Sequence, residues 1–395
     1  MLQKYAIPQN PQLTKGKSMT SGKDSKGSST PQTKEQPKAM PMGGSASFES
    51  KMMRSMLEST PTTEGQIDLS DLPDIPYPKV EGIEVRVPEP PIVTNQDVDM
   101  AFQTLYFQCL GRDVRKAGET VQMGDEVLID MVGFIEGIIL PFSAQEDLVM
   151  HATPNALMPG FAEGLVGAVV GDTKMITVQM PQEDIMHGTR YLTAAFAVHV
   201  KGAAALTYPA PDSPEVLQKL GLGNSLEEVR KVLAEQLTKE RANAMVMQGF
   251  NMVLDKLLKQ VKTPVPPKLI DEEIRFWWRK KEGEFLQKRG ISRQDMDVAL
   301  KGWQSNDNLR KDATRRLKVA MLFKAYNQEN PPDIDTEELR GFIEELATST
   351  GADPRAMFDA IAADKNEQND LAEKYLYLRT MVEITANATI HYGSE

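Results

Sequence analysis

The chain has 395 residues, 41% of them apolar and 26% charged, a formal net charge of −11 and a single cysteine, Cys109. That length leaves room for two or three domains, and the acidic balance argues against a dedicated nucleic-acid binder. One thiol excludes a disulfide framework or a thiolate metal cage and fits a reducing compartment; with no secretory h-region and no run near the roughly 18 apolar residues that span a bilayer, a cytoplasmic address without membrane contact is expected.

Residues 1–77 are rich in Ser, Thr, Lys, Gly and Pro, as in "SMTSGKDSKGSSTPQTKEQPKAMPMGGSAS". Such a segment buries too little apolar surface to offset its ordering entropy, so a disordered low-complexity tail is predicted. Within it Phe48, Met52, Met53, Met56 and Leu57 fall near helical spacing, enough for a transient helix or a short docking element for a partner.

Residues 78–118 begin with an extended piece, Ile83–Val87, interrupted by Pro88, Pro90 and Pro91. Thr94 then caps a helix whose Val98, Phe102, Leu105 and Leu110 share one face. Residues 119–206 change character. "GDEVLIDMVGFIEG", "EDLVMHA", "DTKMITVQMP" and "TAAFAVHVKG" are β-rich and separated by turn residues, which predicts an antiparallel sheet interrupted by one short helix at "PGFAEGLVG". Residues 207–395 read as helical. The long stretch opening at Asn224 or Ser225 carries Leu226, Val229, Leu233, Leu237, Met245, Val253 and Leu257 near a 3.6 period, and a proline stop precedes a second helix ending at Gly290. Further helices are predicted over 305–326, 336–348, 353–363 and 366–385.

"GDEVLIDMVGFIEG", "LMPGFAEGLVGAVVGDTKMITVQMPQED" and "AAFAVHVKGA" resemble the FKBP-type prolyl isomerase domain of bacterial trigger factor. "VPPKLIDEEI" and the charged helix after it resemble one arm of that family's C-terminal chaperone domain, and "VEGIEVRVPEPPIVTNQDVD" resembles the linker before the isomerase domain. The resemblance implies an α+β multidomain fold: a small antiparallel FKBP-like β-domain inserted into an extended all-α, arm-shaped domain, behind a disordered N-terminal tail, with the linker and helix of residues 78–118 packing against the helical domain. No Gly-Phe-Arg-rich ribosome-docking loop is found in residues 1–80, so ribosome contact is not expected.

Prolyl isomerisation needs no nucleophile. Its barrier of about 18–20 kcal/mol comes from amide resonance, and an apolar cavity lowers it by disfavouring the planar amide. The resemblance assigns the prolyl pocket to Met131, Leu140, Leu157, Met158, Phe161 and Phe196, with Met131 and Leu140 standing where the family carries rings. The loop that usually supplies a tyrosine reads "EDIMHGTRY", with Ile185, Met186 and His187 at the expected hydroxyl and Tyr191 as a substitute. Pliable methionines suit holding varied apolar groups more than shaping one amide. The same side chains also suit a plain β-domain core.

In the helical body Met245, Met247, Phe250 and Met252 span more than one face, and the adjacent Trp277 and Trp278 cannot both enter a narrow core stripe. These six are candidate client-binding residues if the faces stay uncovered, and core residues if packed helices cover both. "WRKKEGEFLQKRG" and "NLRKDATRRLK" are basic helix faces, read as solvated surfaces. His151, His187, His199 and His391 lack metal-ligand spacing, so no metal and no cofactor are called for.

The expected function is that of a trigger-factor-like, ATP-independent chaperone for unfolded, nascent or unassembled polypeptides, with a degenerate FKBP-like domain and no specific nucleic-acid partner. The alternatives are an active peptidyl-prolyl cis-trans isomerase with an atypical pocket and a dedicated assembly chaperone that docks one complex through residues 1–77.

Overall fold

The computed structural model describes residues 67–184, 188–331, 336–350 and 352–393. The first 66 residues of the predicted tail, including the Phe48–Leu57 helix, and Ile185, Met186 and His187 lie outside them. The end of the predicted tail is packed. Ile67 and Leu72 are buried in the main helical core, with a 3-10 turn Leu69–Asp71 between them. Lys324 holds this lead-in by donating to the Leu72 carbonyl at 2.9 Å and pairing with Asp74 at 2.7 Å, while Tyr77 stacks on Tyr326 at 6.1 Å. Residues 67–77 are therefore corrected from tail to packed lead-in, because two apolar side chains among polar ones suffice where a groove already exists to receive them.

Strand β1 (Glu84–Val87) pairs in parallel with β8 (Thr389–Tyr392), the last strand before residue 393. Helix α1 (Asn95–Cys109) starts at Thr94, whose side chain and that of Asp97 form a reciprocal capping box. Among the described residues, six strands then form one antiparallel sheet: β2 (Gly111–Val114), β3 (Glu126–Ile135), β4 (Ile138–Ile139), β5 (Gln145–His151), β6 (Thr173–Asp184) and β7 (Gly188–Thr207). The 20-residue β7 pairs with β6, β3 and β2 in turn, and β3 carries β5 and β4 along its other edge. The sheet thus takes its first strand from Gly111–Val114, inside the stretch expected to pack with helices. The short helix α2 (Phe161–Leu165) closes one face, over Val127, Ile129, Ile176 and Val198.

Past the sheet the chain is helical: α3 (Pro214–Leu220), α4 (Leu226–Leu258), α5 (Pro267–Trp278), a π turn Arg279–Gly283, α6 (Glu284–Lys288), α7 (Arg293–Gln304), α8 (Asp307–Glu329), α9 (Thr336–Thr350), α10 (Pro354–Ala363) and α11 (Lys365–Ala386). Ser225, not Asn224, caps α4. The periodic reading missed α7, the π turn and β8.

Helix α1 packs on α3 and the first half of α4 around Val98, Cys109, Val216, Val229 and Leu233, and burial pushes the Cys109 thiol up. The β-domain is therefore an insertion, leaving after α1 and returning before α3. The second half of α4 joins α5 and α8 in the larger core, built on Val253, Leu257, Ile274, Leu317 and Met321.

Candidate functional site

Strand alternation sends Met131 inward from β3 and Phe196 inward from β7, and the tight turn at Gly160 puts Phe161 at the start of α2 beneath them. The three are 5%, 1% and 0% exposed, and the Phe161 and Phe196 rings meet edge to face at 5.6 Å. Gly133 lies opposite Phe196 in the ladder, and a Cβ there would come within 2.7 Å of the ring, so the ring packs against β3 in the space that glycine leaves. Leu140 and Met158 are half-buried at the margin of the same cluster. Leu157 is not part of it: its backbone is left-handed (φ 67°) and its side chain points to solvent. Tyr191, the substitute for the missing hydroxyl, is exposed. Five of the six residues expected to form the pocket are brought together, and Met131, Phe161 and Phe196 among them are covered.

The opposite face of β3 is not solvated. Val132, Ile139 and Ala144 are buried in the helical core, and the turn between β4 and β5 is seated on α7. Pro141 fills the space over Gly302, where a Cβ would meet its Cγ at 2.2 Å, and Phe142 stacks on Trp303 at 4.8 Å. The π turn brings Glu282 into this seam, where its carboxylate accepts from the Trp303 indole at 2.7 Å and the Ala144 amide at 3.1 Å. Burial pushes the Glu282 carboxyl up, against these donors. Asp130, which alternation places outward on β3, is also buried here and pairs with Arg289 and Lys201. Burial raises its pKa, but the Asp147 amide and the two cations outweigh that and hold it below the usual range.

On the helical side, Met245, Met247, Phe250 and Met252 are half-buried along α4. The β1–β8 pair lies against this stretch: a Cβ at Gly249 would meet Ile390 at 3.0 Å and Val87 and Tyr392 at 3.3 Å. Met247, Phe250 and Met252 pack on the main core. The two adjacent tryptophans separate as their 100° offset requires. Trp278 is buried against Gly283. Trp277 turns outward, donates to the buried Glu273 at 2.9 Å and lies under the Arg316 guanidinium at 5.3 Å.

Trp277 lines a cleft of about 390 Å³ with Ile274, Trp303, Leu309, Lys281 and Arg316. A second hollow, of about 500 Å³, lies between α9, α10 and α11, floored by Leu346, Met357, Ile361 and Leu371 with Asp353, Asp364 and Lys374 among its lining residues. Both volumes fall within the range of small-molecule and side-chain pockets. Sequence reasoning missed Trp303 and Met357. Met357 and Ile361 are four residues apart on one face of α10, a signal that was available; nothing local marks Trp303 as a cleft wall. No cluster of three or more His, Cys, Asp or Glu side chains could hold a metal ion among the described residues, and no described helix is long and apolar enough to cross a membrane.

Residues 225–383, which contain both clefts, match the family model for the C-terminus of bacterial trigger factor. Trigger factor of Novosphingobium aromaticivorans is 29% identical over 294 residues, covering 74% of this chain and 56% of that protein. That of Haemophilus influenzae is 24% identical over 322 residues, covering 80% and 71%. The chain spans about half to two thirds of the length of the first three curated relatives, at 56%, 66% and 49%. A solved structure from work on promiscuous substrate recognition in folding and assembly by the trigger factor chaperone aligns with 17% identity and a TM-score of 0.31, over 78% of this chain and 72% of that one.

Proposed function

We propose that this chain, which resembles bacterial trigger factor along 74% of its length, is an ATP-independent chaperone that holds unfolded or unassembled polypeptides on its helical body. The observation that carries this reading is the pair of apolar hollows, one walled by Trp277 and Trp303 and the other by Leu346, Met357, Ile361 and Leu371. Among the described residues neither is closed by another element, and flexible Met357 accepts varied side-chain shapes. Trp277 keeps its place as a client contact, Trp278 serves the core, and Met245, Met247, Phe250 and Met252 offer only their uncovered edges. The FKBP-like domain acts as a docked, filled module, since Met131, Phe161 and Phe196 have almost no free surface to offer a proline.

Suppression of aggregation by several unfolded clients at near-stoichiometric ratio tests the reading, and absence of suppression rejects it. Two of the chain's three tryptophans, Trp277 and Trp303, line the first cleft, so client binding is expected to shift intrinsic fluorescence.

A second reading, a peptidyl-prolyl isomerase, draws support from the clustering of Met131, Leu140, Met158, Phe161 and Phe196 around one point of the β-domain. A protease-coupled assay on a proline peptide separates the two. Acceleration above the uncatalysed rate, lost in Phe196→Ala, favours the isomerase.

A further inference from the structure

The third open feature of the helical body is charged. A cleft of about 770 Å³ lies where the end of α4 and its following turn meet the first turns of α8. Six cations line it, Lys259, Lys262, Arg310, Lys311, Arg315 and Lys318, against the carboxylates of Asp255 and Asp307. A local excess of four positive charges in a chain of net charge −11 is not a sample of the average surface. The basic stretch "NLRKDATRRLK", read from sequence as a solvated helix face, supplies four of the six, so the fold has turned part of that face into one wall of a cleft.

The two arginines are already engaged. Arg310 pairs with Asp271 at 2.6 Å and donates to the Gln304 carbonyl at 2.9 Å, and Arg315 pairs with Asp255 at 2.9 Å. Lys318 reaches the Val261 carbonyl at 3.5 Å. Lys259, Lys262 and Lys311 have no ion-pair partner among the described residues and are exposed, leaving three uncommitted point charges around one hollow. The first turn of α8 adds the positive end of its helix dipole.

We infer that this cleft binds acidic segments of polypeptide, as a second grip distinct from the apolar hollows. Two features favour peptide over nucleic acid. None of the lining residues is aromatic, so the cleft lacks the stacking platforms on which single-stranded bases rest. Its arginine forks, the groups suited to bidentate phosphate contact, are spent on internal carboxylates. Leu258 and Val261 in the lining instead provide apolar contact for side chains interspersed with Glu or Asp. The inference rests on the chaperone reading only for the source of such segments, because the cleft can bind or fail to bind a peptide whether or not clients are held elsewhere.

The test is fluorescence anisotropy of the full chain with a labelled short peptide alternating Glu and Leu. Its Gln/Leu counterpart isolates charge, and a single-stranded oligonucleotide serves as the competing class. The Glu peptide is expected to bind roughly tenfold or more tighter than the Gln peptide, and the preference to fade as ionic strength rises from about 0.01 to about 0.15 M. The triple variant Lys259→Glu, Lys262→Glu, Lys311→Glu is expected to abolish that preference. Its milder counterpart with Gln at the same positions, a check against misfolding, is expected to reduce it. Equal binding of the two peptides, or a preference unchanged in both variants, overturns the inference. Tighter binding of the oligonucleotide overturns the assignment of ligand class. Aggregation suppression measured on the same variants with a client poor in acidic residues reports separately on the chaperone reading.

Discussion

The β-domain and the helical body are built from the same apolar vocabulary and use it oppositely. Around Met131, Phe161 and Phe196 the sheet and α2 cover the side chains on all sides, and the outer face of β3 is capped in turn by the helical core. Around Trp277, Trp303, Met357 and Leu371 the helices meet at angles that leave hollows. Residue type does not distinguish a gripping surface from a core; the number of elements packed over it does. With a helix on one side of β3 and a neighbouring domain on the other, that strand has no open apolar face, although Val149 and Met175 stay exposed on β5 and β6.

This contrast can be broken from either side. The largest expected effect is in the closed region: Leu165→Ala, at a position with no exposed surface, is expected to cost about 2–5 kcal/mol of β-domain stability. Urea unfolding followed alongside client holding checks it; if holding falls in step with the β-domain midpoint, the two regions are not independent. Next comes the seam. Glu282→Ala leaves the Trp303 indole and the Ala144 amide unpaired, at about 1–3 kcal/mol each. Hydrogen exchange is expected to rise in residues 140–147.

The same carboxyl sets a pH dependence. Its folded pKa is raised above the ordinary 4.5, so the folded protein holds this proton more tightly than the unfolded chain does. Its contribution to stability is full below that ordinary value and is lost as pH rises through the raised folded pKa. Glu282→Gln is expected to flatten this component in a plot of Tm against pH.

Gly302→Ala is a smaller wedge. Helix propensity favours alanine by about 0.8–1 kcal/mol, while contact with the rigid Pro141 ring costs about 1–3 kcal/mol. The net result is a seam loosened by about 1 kcal/mol in a chain that still folds, read as a red shift of Trp303 emission. Smallest in stability is Met357→Ser in the second hollow, where losing a half-buried side chain packed against the main core costs about 0.5–1 kcal/mol. Client holding is nonetheless expected to fall several-fold, and a variant that unfolds instead would place Met357 in the core.

Much of the framework was legible because it depends on local signals. β-rich composition between turn residues marked β3, β5, β6 and β7, and Thr94 and the prolines near residue 265 marked helix ends. The predicted ranges 336–348 and 353–363 correspond to Thr336–Thr350 and Pro354–Ala363. Helix α7 was missed although its signal was present: Met296, Ala299, Leu300 and Trp303 recur at i, i+3, i+4 and i+7 after the Ser292 cap, and that stripe packs on the helical core. Strand β8 was missed because a four-residue segment has no identity apart from its partner β1.

Within the candidate site, the sequence named residues but not their surroundings. It paired Trp277 with Trp278, whereas the structure pairs Trp277 with Trp303, distant along the chain. It read Asp130 as an outward position, which holds for the strand and fails for the molecule, because a second domain sits on that face.

By itself, the sequence determined the order of elements, the insertion of a β-rich segment between helical ones and the supply of methionine and aromatic side chains. Those follow from backbone periodicity and capping, which act over a few residues. The tertiary structure alone decided which of those side chains remain open, where Glu282 is buried and how scattered lysines come to share one cleft. Exposure and local charge density depend on what packs across a surface, and contacts of that kind join residues the chain keeps far apart.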